Sequence, residues 1–93
     1  MALYIITCID KPNALEVRLA NRQAHLDFAK DWCDRMLVGG PLLSDDGEKM
    51  QGSMLILDVE DRAQVDEFIQ NDPYGKAGLF ESVTVRRYKK VLP

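Results

Sequence analysis

Residues 2–10, ALYIITCID, constrain the fold more than any other stretch of this chain. The segment is β-branched and apolar and reads as a strand. Leu3, Ile5, Thr7 and Ile9 fall on one alternating face, and Tyr4, Ile6 and Cys8 on the other. A strand that is apolar on both faces needs a cover on each. A chain of 93 residues builds only a small core, so a second subunit is the natural source of the second cover.

The remaining segments supply the first cover. Helix one is predicted to begin at Asn13, which pairs with Glu16 as a capping box behind Pro12, and to run to about Arg35. MLVGGPLL (36–43) reads as a second strand broken by Gly39-Gly40-Pro41. SDDGEK (44–49) is a turn with Asp46-Gly47 as its hairpin signal. GSMLILDV (52–59) is a third strand, and EDRAQVDEFIQN (60–71) a second helix with Asp61 as N-cap. Pro73 ends that helix and restricts Asp72 before it. SVTVRRYKK (82–90) alternates and reads as the last strand. The order β-α-β-β-α-β is the ferredoxin-like split βαβ pattern. It predicts one α+β domain over residues 1–93, an antiparallel sheet with two helices on one face. The bare face predicts a homodimer packed sheet to sheet.

Composition removes several functional classes. Net charge is −3 and the charges are well mixed. The only basic run, RRYKK (86–90), reads as a solvated strand end, so no nucleic-acid partner is expected. No apolar run is long enough to span a membrane, and no basic leader precedes a small-residue cleavage site. Cys8 and Cys33 sit in apolar segments, which predicts reduced, buried thiols and a cytoplasmic location. One histidine without CxxC or HxxxH spacing argues against a metal site.

Helix one holds the misfit. At about 100° per residue, Leu15, Leu19, Leu26 and Cys33 cluster on one side and Val17, Ala24 and Phe28 on another. Between them, within roughly 40° of one line, lie Arg18, Arg22, His25, Ala29 and Trp32. A positive stripe thus runs along the apolar arc. Unpartnered buried charge is costly, and two readings answer this. In one, the arginines snorkel or pair with an acid, and His25 is a neutral core histidine. In the other, the stripe lines a pocket. Trp32 is then an aromatic wall, Arg18 and Arg22 hold an anionic or carbonyl group, and His25 moves protons. Asp72 is the odd acid, because an anion at a helix C-terminus is disfavoured without a cationic partner. A turn before Pro73 is its plain role. A bond to His25 or to an arginine is its functional one.

Four stretches, RLANRQAHL (18–26), GGP (39–41), GSMLIL (52–57) and NDPYGKAGLFESVTVRRYKKV (71–91), resemble the YciI-like (YCII-related) proteins of the dimeric α+β barrel superfamily. The resemblance runs through essentially the whole chain. It implies a ferredoxin-like subunit, a homodimer, and a His–Asp pair in a pocket near the subunit interface. Carried over, these are His25 and Asp72, with Arg18, Arg22 and Ser53 lining the same pocket. One branch that shares the pair removes chloride from a chlorinated hydroxyhydroquinone without any cofactor. The resemblance therefore implies a small, cofactor-independent acid–base enzyme of lyase, isomerase or dehalogenase type. Its substrate would be a small anionic or ring-hydroxylated molecule. The alternative is a non-catalytic dimeric module that binds a metabolite or a partner protein.

Overall fold

Period-two patterning sets Tyr4, Ile6 and Cys8 of β1 (Ala2–Asp10) beside Leu55, Leu57 and Val59 of β3 (Met50–Val59). In the computed structural model, which describes Met1–Pro93, these side chains form the floor of the core. Two helices lie above it: α1 (Leu15–Lys30) and α2 (Arg62–Asn71). β2 (Met36–Leu43) and β4 (Phe80–Tyr88) are the edges of a four-stranded antiparallel sheet, in the order β2-β3-β1-β4. This is the predicted split βαβ architecture with both helices on one face. A one-turn helix, α3 (Pro73–Lys76), joins α2 to β4. No helix is long and apolar enough to cross a membrane.

α2 follows its sequence signals. The Asp61 side chain caps it by accepting from the Gln64 N–H at 3.2 Å. Val65 and Phe68 are buried against the sheet, where Trp32 meets Phe68 edge-on at 5.2 Å between ring centres. Burying one such large side chain stabilises the fold by roughly 1.5–3 kcal/mol.

Helix one departs from expectation at both ends. Asn13 does not cap it: the residue takes φ 58°, a left-handed turn that asparagine tolerates, and α1 starts at Leu15 behind Ala14. At the other end the chain tightens after Lys30. The Asp31 and Trp32 N–H groups reach back to Phe28 and Ala29, and a 3-10 turn at Cys33–Arg35 leads into β2. The tighter winding rotates Trp32 off the stripe and into the core. β2 is not broken at Gly39-Gly40-Pro41, because Gly39, Gly40 and Pro41 pair with Leu55, Met54 and Ser53. Pro41 is tolerated because an edge strand has one ladder side free.

The sheet face without helices carries Leu3, Ile5 and Ile9 of β1 beside Met54 and Ile56 of β3 and Val38 of β2. Ile9 and Val38 are 41% and 48% exposed there.

Candidate active site

The misfit stripe of α1 resolves into two buried groups and one at the rim. Arg18 is 2% exposed, His25 is buried, and Arg22 is exposed. Leu26 and Cys33, from one expected apolar wall, line the cavity described below, whereas Leu15 and Leu19 of that wall are left exposed. Cys33 is exposed, contrary to expectation, because the 3-10 turn carries it outward.

Arg18 is held from the sheet. Its Nε donates to Asp10 Oδ2 at 2.7 Å and its Nη2 to Asp10 Oδ1 at 2.8 Å, a two-bonded fork. Nη2 also donates to Ser53 Oγ at 3.0 Å. Asp10 closes β1 on the helix-facing side, and the strand register shifts between Ile9 and Asp10. Such an irregularity re-aims a side chain at the end of a strand. Burial alone would lower the pKa of Arg18, but the Asp10 bonds and charge outweigh it and the net shift is upward. Gly52 allows the strands to approach here, since a Cβ on it would stand 2.2 Å from the Cys8 carbonyl oxygen. The Cys8 thiol beneath is pushed up to about 12, mainly by burial and secondarily by the Asp72 charge, and stays neutral.

One turn of sequence after α2 supplies the second group. Asp72 ends α2 and caps α3, and its Oδ1 accepts from the Tyr74 N–H at 3.0 Å. The same oxygen lies 2.8 Å from His25 Nδ1. Asp72 therefore makes both of the contacts expected of it, the turn before Pro73 and a bond to His25. An ionised carboxylate only accepts, so the bond puts the ring proton of a neutral His25 on Nδ1 and leaves a lone pair on Nε2. The Tyr74 ring stacks on His25 at 4.1 Å and 14°, and the Arg18 guanidinium carbon lies 4.6 Å from the same ring centre. Burial raises the Tyr74 pKa, partly opposed by Arg18, so the phenol remains a neutral donor.

Arg18, Arg22, His25, Ser53 and Tyr74 share one cavity of about 470 Å³ between α1 and the β2 side of the sheet. Leu26, Ala29, Met36 and Leu55 add apolar wall, with Gly39, Gly40 and Pro41 along β2. No buried side-chain nitrogen or oxygen lacks a hydrogen-bond partner. His25 Nε2 and Arg18 Nη1 make no bond within the protein, so both are open to the cavity. Trp32, expected as the aromatic wall, lies outside the lining and belongs to the core. Tyr74 takes the place assigned to it. No pattern in the sequence singles out Tyr74. The signal for Asp10 is the strand period, since counting Tyr4, Ile6, Cys8 by twos lands on it.

The YCII-related domain family matches residues 2–89. Protein YciI of Escherichia coli is 35% identical over 96 residues, covering 96% of this chain and 98% of that protein. An uncharacterised Haemophilus influenzae protein is 36% identical, covering 95% of this chain and 97% of its own length. Among solved structures, a 5-chloro-2-hydroxyhydroquinone dehydrochlorinase from Burkholderia phenoliruptrix, complexed with 2,5-dihydroxybenzoquinone, is 40% identical with a TM-score of 0.87. That match covers 94% of this chain and 93% of that one. An antibiotic biosynthesis monooxygenase superposes over 99% of this chain and 100% of its own at TM-score 0.60 and 15% identity, a likeness of fold alone. From the family match and these full-length relatives, the chain belongs to the YCII-related family and has the subunit fold of the dimeric α+β barrel proteins.

Proposed function

We propose that this protein is a small acid–base enzyme that eliminates a leaving group from a hydroxylated ring, with His25 and Asp72 as its proton-handling pair. The observation that carries the reading is the 2.8 Å bond from His25 Nδ1 to a buried Asp72, with the opposite ring nitrogen open to the cavity. The dehydrochlorinase with bound dihydroxybenzoquinone, 40% identical, supports the substrate class.

The steps follow from the donors present. A ring hydroxyl enters between the apolar walls and gives its proton to His25 Nε2. Asp72 stabilises the resulting imidazolium. The negative charge left on the ring oxygen develops beside the Arg18 guanidinium, the kind of fixed positive group that favours a transition state over its ground state. For a chlorinated hydroxyhydroquinone the atoms balance without an oxidant. Two hydroxyl protons leave, one is returned by His25 to the carbon bearing chlorine, and one is released with chloride. Chloride departs with the C–Cl electron pair, and the O–H pairs become the carbonyl bonds of a quinone. Arg22, at the rim, adds positive charge that favours the ring anion once it has formed.

The test is chloride release from 5-chloro-2-hydroxyhydroquinone by the purified protein with nothing else added. Release above the spontaneous rate supports the reading. Binding without turnover supports a non-catalytic module instead.

The bare sheet face underlies a second part of the proposal: two copies pack there through Ile5, Ile9, Val38, Met54 and Ile56. Sedimentation at micromolar concentration should give a dimer, and Ile5→Glu a monomer. A monomeric parent protein would contradict it.

A further inference from the structure

We propose that the cavity accepts its ligand's anionic group through a single oxygen. Phenolates, enolates and quinone carbonyls fit it, and carboxylates do not. The inference rests on the ring-substrate reading above and narrows it.

Arg18 has few donors left to offer a ligand. A guanidinium carries five N–H bonds in a rigid plane. A carboxylate binds it best by two parallel bonds along one edge, either the Nε/Nη2 edge or the Nη1/Nη2 edge. Here Asp10 fills the first edge through Nε and Nη2. Ser53 takes the other Nη2 hydrogen at 3.0 Å, which closes the second edge. Only Nη1 remains, and its two hydrogens diverge. A single oxygen meets one of them; a carboxylate finds no parallel pair. One flat side of the guanidinium is covered by Tyr74 at 4.6 Å from the ring centre. Asp10 also neutralises Arg18, and Asp72 adds negative charge 2.8 Å from His25. A ligand that arrives as a fixed anion thus meets little net positive charge at the Arg18 end, since the unpaired Arg22 guanidinium stands at the exposed rim. One that arrives as a neutral hydroxyl and ionises onto His25 creates its own counter-ion.

Ser53 is the selectivity element in this account. It is buried on β3, lines the cavity, and holds the one Nη2 hydrogen that would complete a carboxylate fork with Nη1. Ser53→Ala opens that edge without touching Asp10.

The probes are 4-nitrophenol and 4-nitrobenzoate, which share a ring and differ in the anionic group. Their affinities are measured by equilibrium dialysis on the intact protein. In the parent protein nitrophenol should bind about tenfold or more tighter than nitrobenzoate, the worth of one charge-assisted hydrogen bond. In Ser53→Ala, with thermal melting used to show that it is folded, nitrobenzoate should gain about tenfold and the ratio should fall toward one. Equal affinities in the parent protein would overturn the proposal, as would an unchanged ratio in a folded Ser53→Ala or no binding of either probe. Equal affinities in a parent protein that still releases chloride sink this inference alone. An intact ratio without chloride release sinks the catalytic reading alone.

Discussion

Replacing His25 with alanine is expected to lower turnover on the order of 100- to 10,000-fold, the usual contribution of a positioned acid–base group. The fold should survive, because His25 is cavity lining and its removal leaves Asp72 still bonded to the Tyr74 N–H. The Asp72 variants separate charge from geometry. Both of its bonds fall on one oxygen, Oδ1. Asp72→Asn keeps a carbonyl oxygen there, so it preserves the His25 tautomer and removes only the charge. The loss should be about tenfold, the difference between a charged and a neutral acceptor. Asp72→Ala removes both bonds. It should approach the His25→Ala rate and cost about 1 kcal/mol of stability through the lost cap on α3. Initial rates and urea melts on the same preparations separate the two effects. A His25→Ala variant with the parent rate would contradict the assignment.

Asp10→Ala is expected to have the largest effect on stability, about 3–5 kcal/mol, because it leaves the Arg18 charge buried with no anionic partner, held only by Ser53 and the Tyr74 ring. That is a large share of the roughly 5–15 kcal/mol that holds a domain together. Asp10 and Arg18 side chains are 7% and 2% exposed, so solvent screens their pairing little. Removing both charges should recover most of the loss: Asp10→Ala combined with Arg18→Met replaces an ion pair by apolar volume, which is often close to neutral. The double variant should be stable yet unable to bind 4-nitrophenol. Urea midpoints for the single and double variants give the coupling directly. A single variant that loses less than about 1 kcal/mol would show that Arg18 finds another partner, as a surface pair does.

The architecture was legible because periodicity carries it. The two-faced strand 2–10, the Asp46-Gly47 turn and the Val65, Phe68 spacing each demand one local structure, and their order leaves the split βαβ fold. The candidate site was legible where a residue violated its surroundings: Arg18 and His25 on an apolar arc, Asp72 at the wrong end of a helix dipole. Residues that obeyed local rules stayed hidden. Asp10 reads as the polar end of a strand and Tyr74 as an ordinary aromatic after proline. Only the tertiary arrangement brings Asp10 under Arg18, eight positions away, and Tyr74 against His25. Trp32 went astray for a different reason. Placing it at about 100° per residue requires uniform helical winding to about Arg35, and α1 stops at Lys30. A few residues of tighter turn are enough to move a side chain from cavity to core.

In the proposed mechanism the His25 ring carries its proton on Nδ1, toward Asp72, and presents Nε2 to the cavity as a base. The chain has one histidine, so its imidazole nitrogens give an unambiguous pair of signals in isotope-labelled protein. Nitrogen NMR near neutral pH, before and after addition of 2,5-dihydroxybenzoquinone, is the direct measurement. The neutral ring should be protonated at Nδ1 with an unprotonated Nε2, and the Nε2 signal should move strongly on addition of the ring compound. A neutral ring protonated at Nε2, or signals indifferent to the ligand, would contradict the account.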